Sequence, residues 1–418
     1  MYIHRDLEAK IKPFLNRKEA IAIVGPRQAG KTTLIKRLEE EFLRSGKKVK
    51  FITFERRADL ELFQNSIEDF KDSINDFQCV IIDEFQYAKD GGQKLKYLYD
   101  TTAVKFIISG SSSLELMFQT GKYMVGRMLD FTLLPFSFRE FLSFADNELY
   151  SMLGKRVGQN PLYDFAARDG FGQEINRRLS ALLEKFVVYG GYPAVVLSKS
   201  DEEKQKILEN IVEKYLLQDI SGLLKMHTAE ELVRLCKFLS AQTGGMVKFS
   251  DLANAANLRY GELIKHFNVL EKTFIIKLVR PFFTNRKTEL VKNPKVYFID
   301  AGIRNFLLSD FRSLLSRNDA GSLMENQAFT LLFNLYISND YPKYWRTKSK
   351  AEVDFVIQDK DGISPIEIKY SSQKTIGKSY YSFLNKFKPK TGVILTKDYL
   401  GEEKIGATNV RFIPLCYL

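Results

Sequence analysis

The stretch "AIAIVGPRQAGKTTLIKRLEEEF", residues 20–42, decides the fold of the first third of this 418-residue chain. An apolar strand is followed by a loop that fits the pattern G-x-x-x-x-G-K-T, and then by an amphipathic helix. Glycines let such a loop wrap closely around phosphates, which the loop N–H groups and the helix N-terminus attract. An ordinary strand–turn–helix connection is the alternative, and the eight-residue pattern at this junction disfavours it.

The loop predicts a site for ATP and Mg²⁺. Lys31 would reach the β- and γ-phosphates, and the hydroxyl of Thr32 would bind the Mg²⁺ ion. The residues predicted to bind the nucleotide are Gly25, Pro26, Arg27, Gln28, Ala29, Gly30, Lys31, Thr32 and Thr33.

A second element supports this prediction. The stretch "CVIIDEFQ", residues 79–86, is an apolar run that ends in two acids, as expected of a strand buried on both faces of a parallel sheet. Asp83 would hold Mg²⁺ through water, and Glu84 would activate the attacking water. The alternative is that the two acids cap the following helix. The phosphate loop earlier in the chain disfavours this alternative.

Two further apolar runs predict strands, at residues 47–55 and in "VKFIISGSSS", residues 104–113. In additional-strand P-loop ATPases the later strand lies beside the loop strand, and a polar tip such as Ser109 senses the γ-phosphate. Ser109 could equally cap a helix. Arg127 is a catalytic candidate that would approach a phosphate in the same chain or from a neighbour, and the alternative is a structural or solvated arginine.

Composition limits the partners. The formal net charge of +12 favours a polyanion, either a nucleic acid or an anionic membrane surface. No apolar run reaches the ~18 residues of a membrane span, and the charged start "MYIHRDLEAK" has no signal-peptide core. Three scattered cysteines and three histidines argue against a zinc site. We therefore expect a cytoplasmic protein in a reducing environment, without a membrane partner.

The middle of the chain predicts a helical lid and then a winged helix-turn-helix. In residues 249–273, two helical patterns flank the turn "RYG", and "FIIKLVRPFF" and "KVYFID" are expected to form the wing. Such folds present residues of the second helix and the wing to DNA. The predicted DNA-binding residues are Arg259, Tyr260, Lys265, Arg286 and Lys287. The alternative is a packing module whose charges are solvated.

The stretch "AEVDFVIQDKDGISPIEIKYS", residues 351–371, predicts two strands that bring Asp354 beside Glu367. Two carboxylates would bind Mg²⁺ or Mn²⁺, and Lys369 would stabilise charge or orient water. The Asp-x12-Glu-x-Lys spacing matches the PD-(D/E)xK nuclease fold, in which Glu325 on the preceding helix would lean towards the metal. Glu-x-Lys alone is a weak signal, and such a fold also persists as a module that holds DNA or docks a partner.

Five motifs in this order make the resemblance specific: "GPRQAGKTTL", "VIIDEFQ", "ISGSSSLEL", "VGRMLDFTLLPFSFREFL" and "YGGYPAVVL". Over nearly its whole length the chain resembles the prokaryotic AAA-type ATPases that carry a C-terminal DUF4143 domain. The resemblance implies an AAA-like fold and ATP hydrolysis, without a known cellular role. AAA-type proteins often form rings, so a homo-oligomer is possible, and a monomer is equally compatible with the sequence.

The expected fold is α/β with four domains. These are a P-loop ATPase core (1–145), a helical lid (146–228), a winged helix-turn-helix (229–292) and a restriction-endonuclease-like α/β domain (293–418). The leading hypothesis is an ATPase that binds DNA and positions it for binding or cleavage. The alternatives are a non-cleaving ATP-dependent switch and a protein remodeller, in which the last domain docks a protein partner.

Overall fold

The computed structural model describes residues 2–110, 122–158, 160–163, 170–220, 224, 230–283, 285–336, 342–359 and 362–418. Two compact units make up the chain. The first comprises Met1–Pro135 with Asn268–Ile275, and the second comprises Phe136–Phe267 with Ile276–Leu418.

The first unit is built on a five-stranded parallel sheet. Its strands are β1 (Ala20–Val24), β2 (Val49–Thr53), β3 (Cys79–Asp83), β4 (Lys105–Gly110) and β5 (Met128–Thr132). They lie in the order β2-β3-β4-β1-β5. The helices of this unit are Asp6–Ile11, Lys31–Arg44, Arg57–Asn65, Ile67–Asp72 and Gly91–Thr101. As predicted, the strand that carries Ser109 lies directly beside the loop strand.

Both faces of this sheet are covered, because β1 is apolar at every position and β3 is apolar up to Asp83. All residues of β1 and β3 are buried. Ala22 and Val80 belong to one hydrophobic cluster, whereas Ile23 and Ile81 belong to another. Successive side chains of a strand point to opposite faces, so the two clusters lie on opposite sides of the sheet. The continuous apolar runs therefore fold as the sequence predicts.

The second unit begins with helices. Their bounds are Phe138–Ala145, Asn147–Gly154, Gln173–Tyr189, Pro193–Val196, Asp201–Ile211, Glu230–Ala241, Phe249–Ala256 and Tyr260–Lys272, with a π-helical segment at Val212–Ile220. The second unit begins at Phe136, and Phe138 and Phe141 pack on Phe186 with ring centroids 5.7 and 5.3 Å away. The predicted domain boundary at residue 145 stays a prediction.

The motif "YGGYP" ends the helix Gln173–Tyr189 and lets the backbone approach an acid closely. Gly190 has φ +81°, and a Cβ at this position would lie 2.3 Å from Oδ1 of Asp300. The backbone N–H of Gly191 donates a 2.7 Å hydrogen bond to Oδ2 of the same carboxylate. Asp300 also accepts a hydrogen bond from the backbone N–H of Ile303. A Cβ on Gly191 would lie 2.3 Å from the backbone oxygen of Phe136, so this packing requires both glycines.

A small two-stranded sheet follows the helices. Strands β6 (Ile276–Val279) and β7 (Lys295–Phe298) pair antiparallel, and the helix Arg286–Val291 lies between them in sequence. The predicted boundary between residues 292 and 293 falls between these two paired strands and stays a prediction. Local patterns reveal elements, whereas pairing between distant strands decides which elements share a unit.

The last part of the chain forms a six-stranded mixed sheet. Its strands are β8 (Lys343–Arg346), β9 (Glu352–Asp359), β10 (Gly362–Lys369), β11 (Thr391–Thr396), β12 (Gly401–Ile405) and β13 (Thr408–Pro414). They lie in the order β12-β13-β11-β10-β9-β8. The pairs β10–β11 and β11–β13 are parallel, and the other three are antiparallel. Helices Ala301–Leu307 and Ala320–Tyr336 precede the sheet.

The helix Lys378–Phe387 connects β10 to β11. Parallel neighbours need such a crossover, since a tight turn cannot return the chain to the same end of the sheet. Buried Tyr380, Phe383 and Leu384 pack this helix onto the sheet core. Within the described ranges, no helix is long and apolar enough to span a membrane.

Candidate functional site

The phosphate loop depends on two glycines. A Cβ on Gly25 would lie 2.0 Å from the backbone oxygen of Leu133, so no larger residue fits this close approach. Gly30 caps the helix Lys31–Arg44 with φ +94°, a conformation that L-residues with side chains rarely adopt. The loop is therefore held in a narrow path at the carboxyl end of β1.

Lys31 folds back onto the loop. Its side chain is 5% exposed, and Nζ donates hydrogen bonds to the carbonyl oxygens of Gly25 at 3.0 Å and Pro26 at 2.8 Å. Burial lowers the pKa of Lys31 to about 8, although Glu84 and Asp83 oppose this shift. The cation thus lies inside the loop, where a phosphate anion would favour its charged form.

Asp83 joins three parts of the site. Its Oδ2 accepts a 2.8 Å hydrogen bond from the hydroxyl of Thr32, and its Oδ1 accepts one from the hydroxyl of Ser109. The backbone N–H of Glu84 also donates to Oδ1 at 3.1 Å. The structure therefore brings together Thr32, Asp83 and Ser109, which the sequence assigned to one site.

Glu84 lies next to this cluster in an uncommon conformation. Its φ is +54°, and its carboxylate accepts a hydrogen bond from the side-chain amide of Gln86. Burial raises the pKa of Glu84. A non-glycine residue in the left-handed region costs energy, and such residues cluster at functional sites. Gln86 was missed by sequence reasoning, because a glutamine two residues after an acid carries no motif of its own.

Arg127 lies at the edge of the sheet away from the loop of its own chain, and its predicted catalytic role stays a prediction. It lies just before β5, and its carbonyl oxygen accepts a 2.8 Å hydrogen bond from the backbone N–H of Ala20, the first residue of β1. Its guanidinium pairs with Asp100 at 2.9 Å. Parallel strands place their amino ends at one edge of the sheet, and the loop lies at the other. A role of Arg127 towards a neighbouring chain stays a prediction.

Arg5 stabilises the phosphate loop through its guanidinium, and the sequence contained no signal for this role. Its buried guanidinium donates hydrogen bonds to the carbonyl oxygens of Ala29 at 2.9 Å and Leu134 at 2.6 Å. One arginine thus links the phosphate loop to the segment after β5. A single charged residue near the start of a chain cannot be distinguished by pattern from a solvated one.

A second cluster of charges lies in the second unit. Strands β9 and β10 pair in the register Phe355 with Ile366, which places Asp354 opposite Glu367. Oδ2 of Asp354 accepts a 2.8 Å hydrogen bond from the backbone N–H of Ile368. Nζ of Lys369 lies 2.8 Å from Oε1 of Glu367, whereas the buried Oε2 of Glu367 has no hydrogen-bond partner in the part of the chain that the structure describes.

Glu325 reaches the same cluster through a lysine that sequence reasoning missed. Lys295, with a side chain 3% exposed, lies 3.0 Å from Oε1 of Glu325 and 2.6 Å from Oε1 of Glu352. The hydroxyl of Tyr297 also donates to Oε1 of Glu325. Lys295 and Tyr297 alternate on β7, so both side chains point to the same face.

The electrostatics show how close these groups are. Burial, with Glu325 and Glu367 nearby, raises the pKa of Asp354 well above its usual range. Burial also raises the pKa of Glu367, although Lys369 opposes this shift. Burial lowers the pKa of Lys295, and the surrounding carboxylates overcome that effect and raise it. Like charges held together out of water are expected to attract a cation.

The predicted metal ligands do not form a ready-made metal site. In the described part of the chain, no group of three or more His, Cys, Asp or Glu side chains is arranged to hold a metal ion. The ammonium of Lys295 is the cation that lies between Glu325 and Glu352. The chemistry of the carboxylates suits Mg²⁺ or Mn²⁺, so metal binding here stays a proposal.

Four of the five predicted DNA-binding residues lie on the surface of the second unit. Arg259, Tyr260, Lys265 and Lys287 are exposed. The backbone N–H of Arg259 donates a 3.0 Å hydrogen bond to Glu262, which fixes the start of the helix Tyr260–Lys272. The side chain of Arg286 lies outside the described part of the structure. Leu263, Phe267 and Leu270 are buried, so the helix presents the predicted side to solvent.

Three family models match successive parts of the chain. Residues 17–142 match a model described as an AAA domain. Residues 180–314 match a domain of unknown function, DUF8612, and residues 320–418 match another, DUF4143. The chain therefore carries an AAA-type P-loop domain followed by a DUF4143 domain, as the resemblance implied. The AAA match supports ATP binding and hydrolysis, and the nuclease-like character of the last part stays a prediction.

Uncharacterized relatives match most of the chain. Protein MJ1637 of Methanocaldococcus jannaschii is 24% identical over 98% of this chain and 86% of its own length. Protein Rv2008c of Mycobacterium tuberculosis is 24% identical over 91% of this chain and 77% of its own length. An uncharacterized protein of Haemophilus influenzae is 22% identical and covers 83% of this chain and 82% of its own length. Sequence similarity thus extends over most of the chain in each of these three proteins.

Solved structures match more weakly. The Aeropyrum pernix ORC2 protein in its ADP form is 14% identical, with a TM-score of 0.34, and covers 75% of this chain and 96% of that chain. AMPPCP-bound DnaA from Aquifex aeolicus is 13% identical, with a TM-score of 0.30, and covers 65% of this chain and 89% of that chain. Scores of this size carry no argument about fold or function.

Proposed function

We propose that this protein is an ATP-hydrolysing switch that acts on DNA. The observation that carries the ATPase part is the contact network of Asp83. Its two oxygens accept hydrogen bonds from Thr32, at the start of the loop helix, and from Ser109, at the tip of β4. A nucleotide bound in the loop would therefore contact Thr32 and Asp83, the proposed Mg²⁺ ligands, and Ser109, the proposed γ-phosphate sensor. Hydrogen bonds to Asp83 connect all three residues before the nucleotide binds.

Each loop residue then has a specific role. Lys31 would exchange its bonds to the loop carbonyls for bonds to the β- and γ-phosphate oxygens. Glu84 would accept a proton from the attacking water, and its raised pKa suits a base that works nearer neutral pH. Gln86, which donates to the Glu84 carboxylate, would keep that base oriented.

Mg²⁺ fits the side of the site formed by Thr32 and Asp83. The hydroxyl oxygen and the carboxylate are hard donors 2.8 Å apart, which are the ligands that Mg²⁺ prefers. The ion, when bound, neutralises charge on the phosphate oxygens.

ATP turnover by purified full-length variants tests the ATPase proposal. Lys31→Ala should lose nucleotide binding, because the only loop ammonium is removed. Glu84→Gln should bind ATP like the parent and lose turnover, and Glu61→Gln, an exposed acid of the same unit, should leave both unchanged. Normal turnover by Glu84→Gln would show that another group activates the water.

DNA is the proposed partner of the second unit. The net charge of +12 and the exposed Arg259, Tyr260 and Lys265 at the start of one helix support it. Arg259→Glu with Lys265→Glu should weaken DNA binding and flatten its salt dependence. The matched control is Lys185→Glu with Lys214→Glu, which changes the charge equally at exposed helical positions. Equal effects of the two pairs would move the contact elsewhere.

The cluster around Asp354 supports a second candidate function, metal-dependent cleavage of that DNA. The specific observation is the buried Oε2 of Glu367, which has no hydrogen-bond partner among the described residues and lies beside Lys369 and Asp354. Asp354 and Glu367 would hold Mg²⁺ or Mn²⁺, which when bound activates water for attack on a phosphodiester. Lys369 would stabilise negative charge on the phosphate.

Incubation with single-stranded, duplex and branched DNA, with Mg²⁺ or Mn²⁺ and with or without ATP, tests cleavage. Asp354→Ala should abolish it, and Asp251→Ala at an exposed position should leave it intact. If the parent binds DNA and cuts none of these forms, the C-terminal part holds DNA or docks a protein. If the parent does not bind DNA, the non-cleaving switch or protein remodeller is favoured.

A further inference from the structure

The chain from Lys369 to Lys397 carries seven lysines and no acid. At the average frequency of 51 acids in 418 residues, a stretch of this length would contain three or four. The helix Lys378–Phe387 forms its centre, and Lys388 and Lys390 follow directly. The segment is therefore a strongly basic element within the second unit.

This helix has two unlike faces. Tyr380, Phe383 and Leu384 are buried in the core of the C-terminal sheet. The opposite side lines a shallow cleft of ≈ 630 Å³ with Lys378, Tyr381, Ser382, Asn385 and Lys386. These five residues, here called the α-face, recur at intervals of three and four, so they form one exposed stripe.

The two lysines of the α-face and the two that follow the helix are not neutralised by ion pairs with described residues. Lys374, before the helix, pairs with Glu403 at 2.9 Å. In contrast, Lys378, Lys386, Lys388 and Lys390 form no ion pair within the described residues. Lys386 instead lies over the ring of Phe387, with 5.1 Å between Nζ and the ring centroid. Uncompensated charge on a fixed helix favours an anionic partner.

The helix begins beside the carboxylate cluster. A Cβ on Gly377, its N-cap, would lie 3.9 Å from Oε1 of Glu367 and 3.9 Å from Cε of Lys369. A polyanion that lies along the α-face would therefore reach Lys369 at one end. The helix has ten residues and is about 15 Å long, enough to contact several phosphates of one strand.

We infer that the α-face binds the sugar-phosphate backbone of a nucleic acid and leads the strand to Glu367 and Lys369. The inference rests on the DNA-binding part of the proposed function. It assigns DNA a second binding surface, in addition to the one that contains Arg259 and Lys265. Tyr381, 40% exposed between the lysines, favours a nucleic acid over a membrane, because an aromatic ring can stack on a base. Asn385 adds a neutral hydrogen-bonding group for a phosphate or sugar.

Fluorescence anisotropy with labelled 20-nucleotide single strands and duplexes tests the inference in the full-length protein. Lys378→Gln with Lys386→Gln should reduce the slope of log affinity against log salt by about 2, one for each phosphate contact. Lys185→Gln with Lys214→Gln removes two exposed helical charges of the same unit and should leave the slope unchanged. Both pairs should keep the Tm of the parent, because all four lysines are exposed.

The outcomes separate this inference from the proposed function. If the parent binds DNA and the α-face variant shows the same salt slope as the control variant, the α-face is not the binding surface. The proposal that the protein binds DNA would be unaffected. If the parent binds no DNA at any salt concentration, the proposed DNA partner fails and this inference fails with it. Tighter binding of vesicles containing half anionic phosphatidylglycerol than of DNA, lost in the α-face variant, would overturn it in favour of a membrane.

Discussion

The hydroxyl of Thr32 donates a 2.8 Å hydrogen bond to Oδ2 of Asp83 and so fastens the loop helix to the carboxyl end of β3. The two strands that lead to these residues are not neighbours, because β4 lies between them. Ser109 at the end of β4 donates to the other oxygen of Asp83 and completes the bridge. Three strand ends thus meet at one carboxylate.

Replacement of Thr32 tests this junction. Thr32→Val removes the hydroxyl donor and the proposed Mg²⁺ ligand, so affinity for Mg²⁺-ATP should fall at least about tenfold, equal to about 1.4 kcal/mol. Thr32→Ser keeps the hydroxyl and should bind like the parent. Calorimetric titration at several Mg²⁺ concentrations measures the effect, and equal affinities of the two variants would remove Thr32 from the metal side of the site.

Arg5→Met should destabilise the first unit and weaken nucleotide binding together. The change leaves the carbonyls of Ala29 and Leu134 without this donor, which costs about 1–3 kcal/mol. Tm should fall by roughly 2–12 °C. Arg57→Met, at a side chain 90% exposed, is the control and should leave both properties unchanged. A variant with parental Tm and ATP affinity would show that Arg5 contributes nothing.

Lys295→Met should destabilise the second unit. Removal of this buried cation leaves Glu325 and Glu352 without their shared partner, at a cost of about 3–5 kcal/mol. Urea unfolding followed by the fluorescence of Trp345, a buried residue of this unit, measures the loss. Adding Glu325→Gln to this variant should recover part of the stability, and the exposed Lys348→Met should have no effect. No recovery would mean that Lys295 acts through packing alone.

Asp300 should make the stability of the second unit depend on pH. Burial raises its pKa from 3.8 to about 6, against hydrogen bonds from backbone N–H groups such as that of Gly191. Between these values the folded state binds more protons than the unfolded state, so this group's contribution to stability falls as pH rises from about 4 to 6. Asp300→Asn should lose that contribution, seen as a smaller decline of Tm over this window.

Asp251→Asn, at an exposed carboxyl, is the control for the pH experiment and should keep the parental profile. A parental decline of Tm in Asp300→Asn would assign the pH dependence to other groups. A loss of Tm in Asp300→Asn that is equal at every pH would reflect only the lost hydrogen bonds. The test is therefore the change in Tm between pH 4 and pH 6, compared between Asp300→Asn and the parent.

The sequence by itself determined the elements whose chemistry lies in neighbouring residues. The phosphate loop is a continuous eight-residue pattern, and Glu367 and Lys369 share a strand face because they are two residues apart. The apolar runs of β1 and β3 predicted strands covered on both faces, and both are fully buried. Because periodicity depends only on neighbouring residues, it can be read from the sequence without knowledge of the fold.

Only the tertiary structure decided which distant residues meet. Arg127 lies at the opposite edge from the loop because β5 runs parallel to β1. Lys295, Glu325 and Glu352 come from a strand, a helix and a second strand, and no spacing in the sequence links them. Such contacts follow from strand order and helix packing, where burial of apolar surface across the whole unit outweighs any local preference.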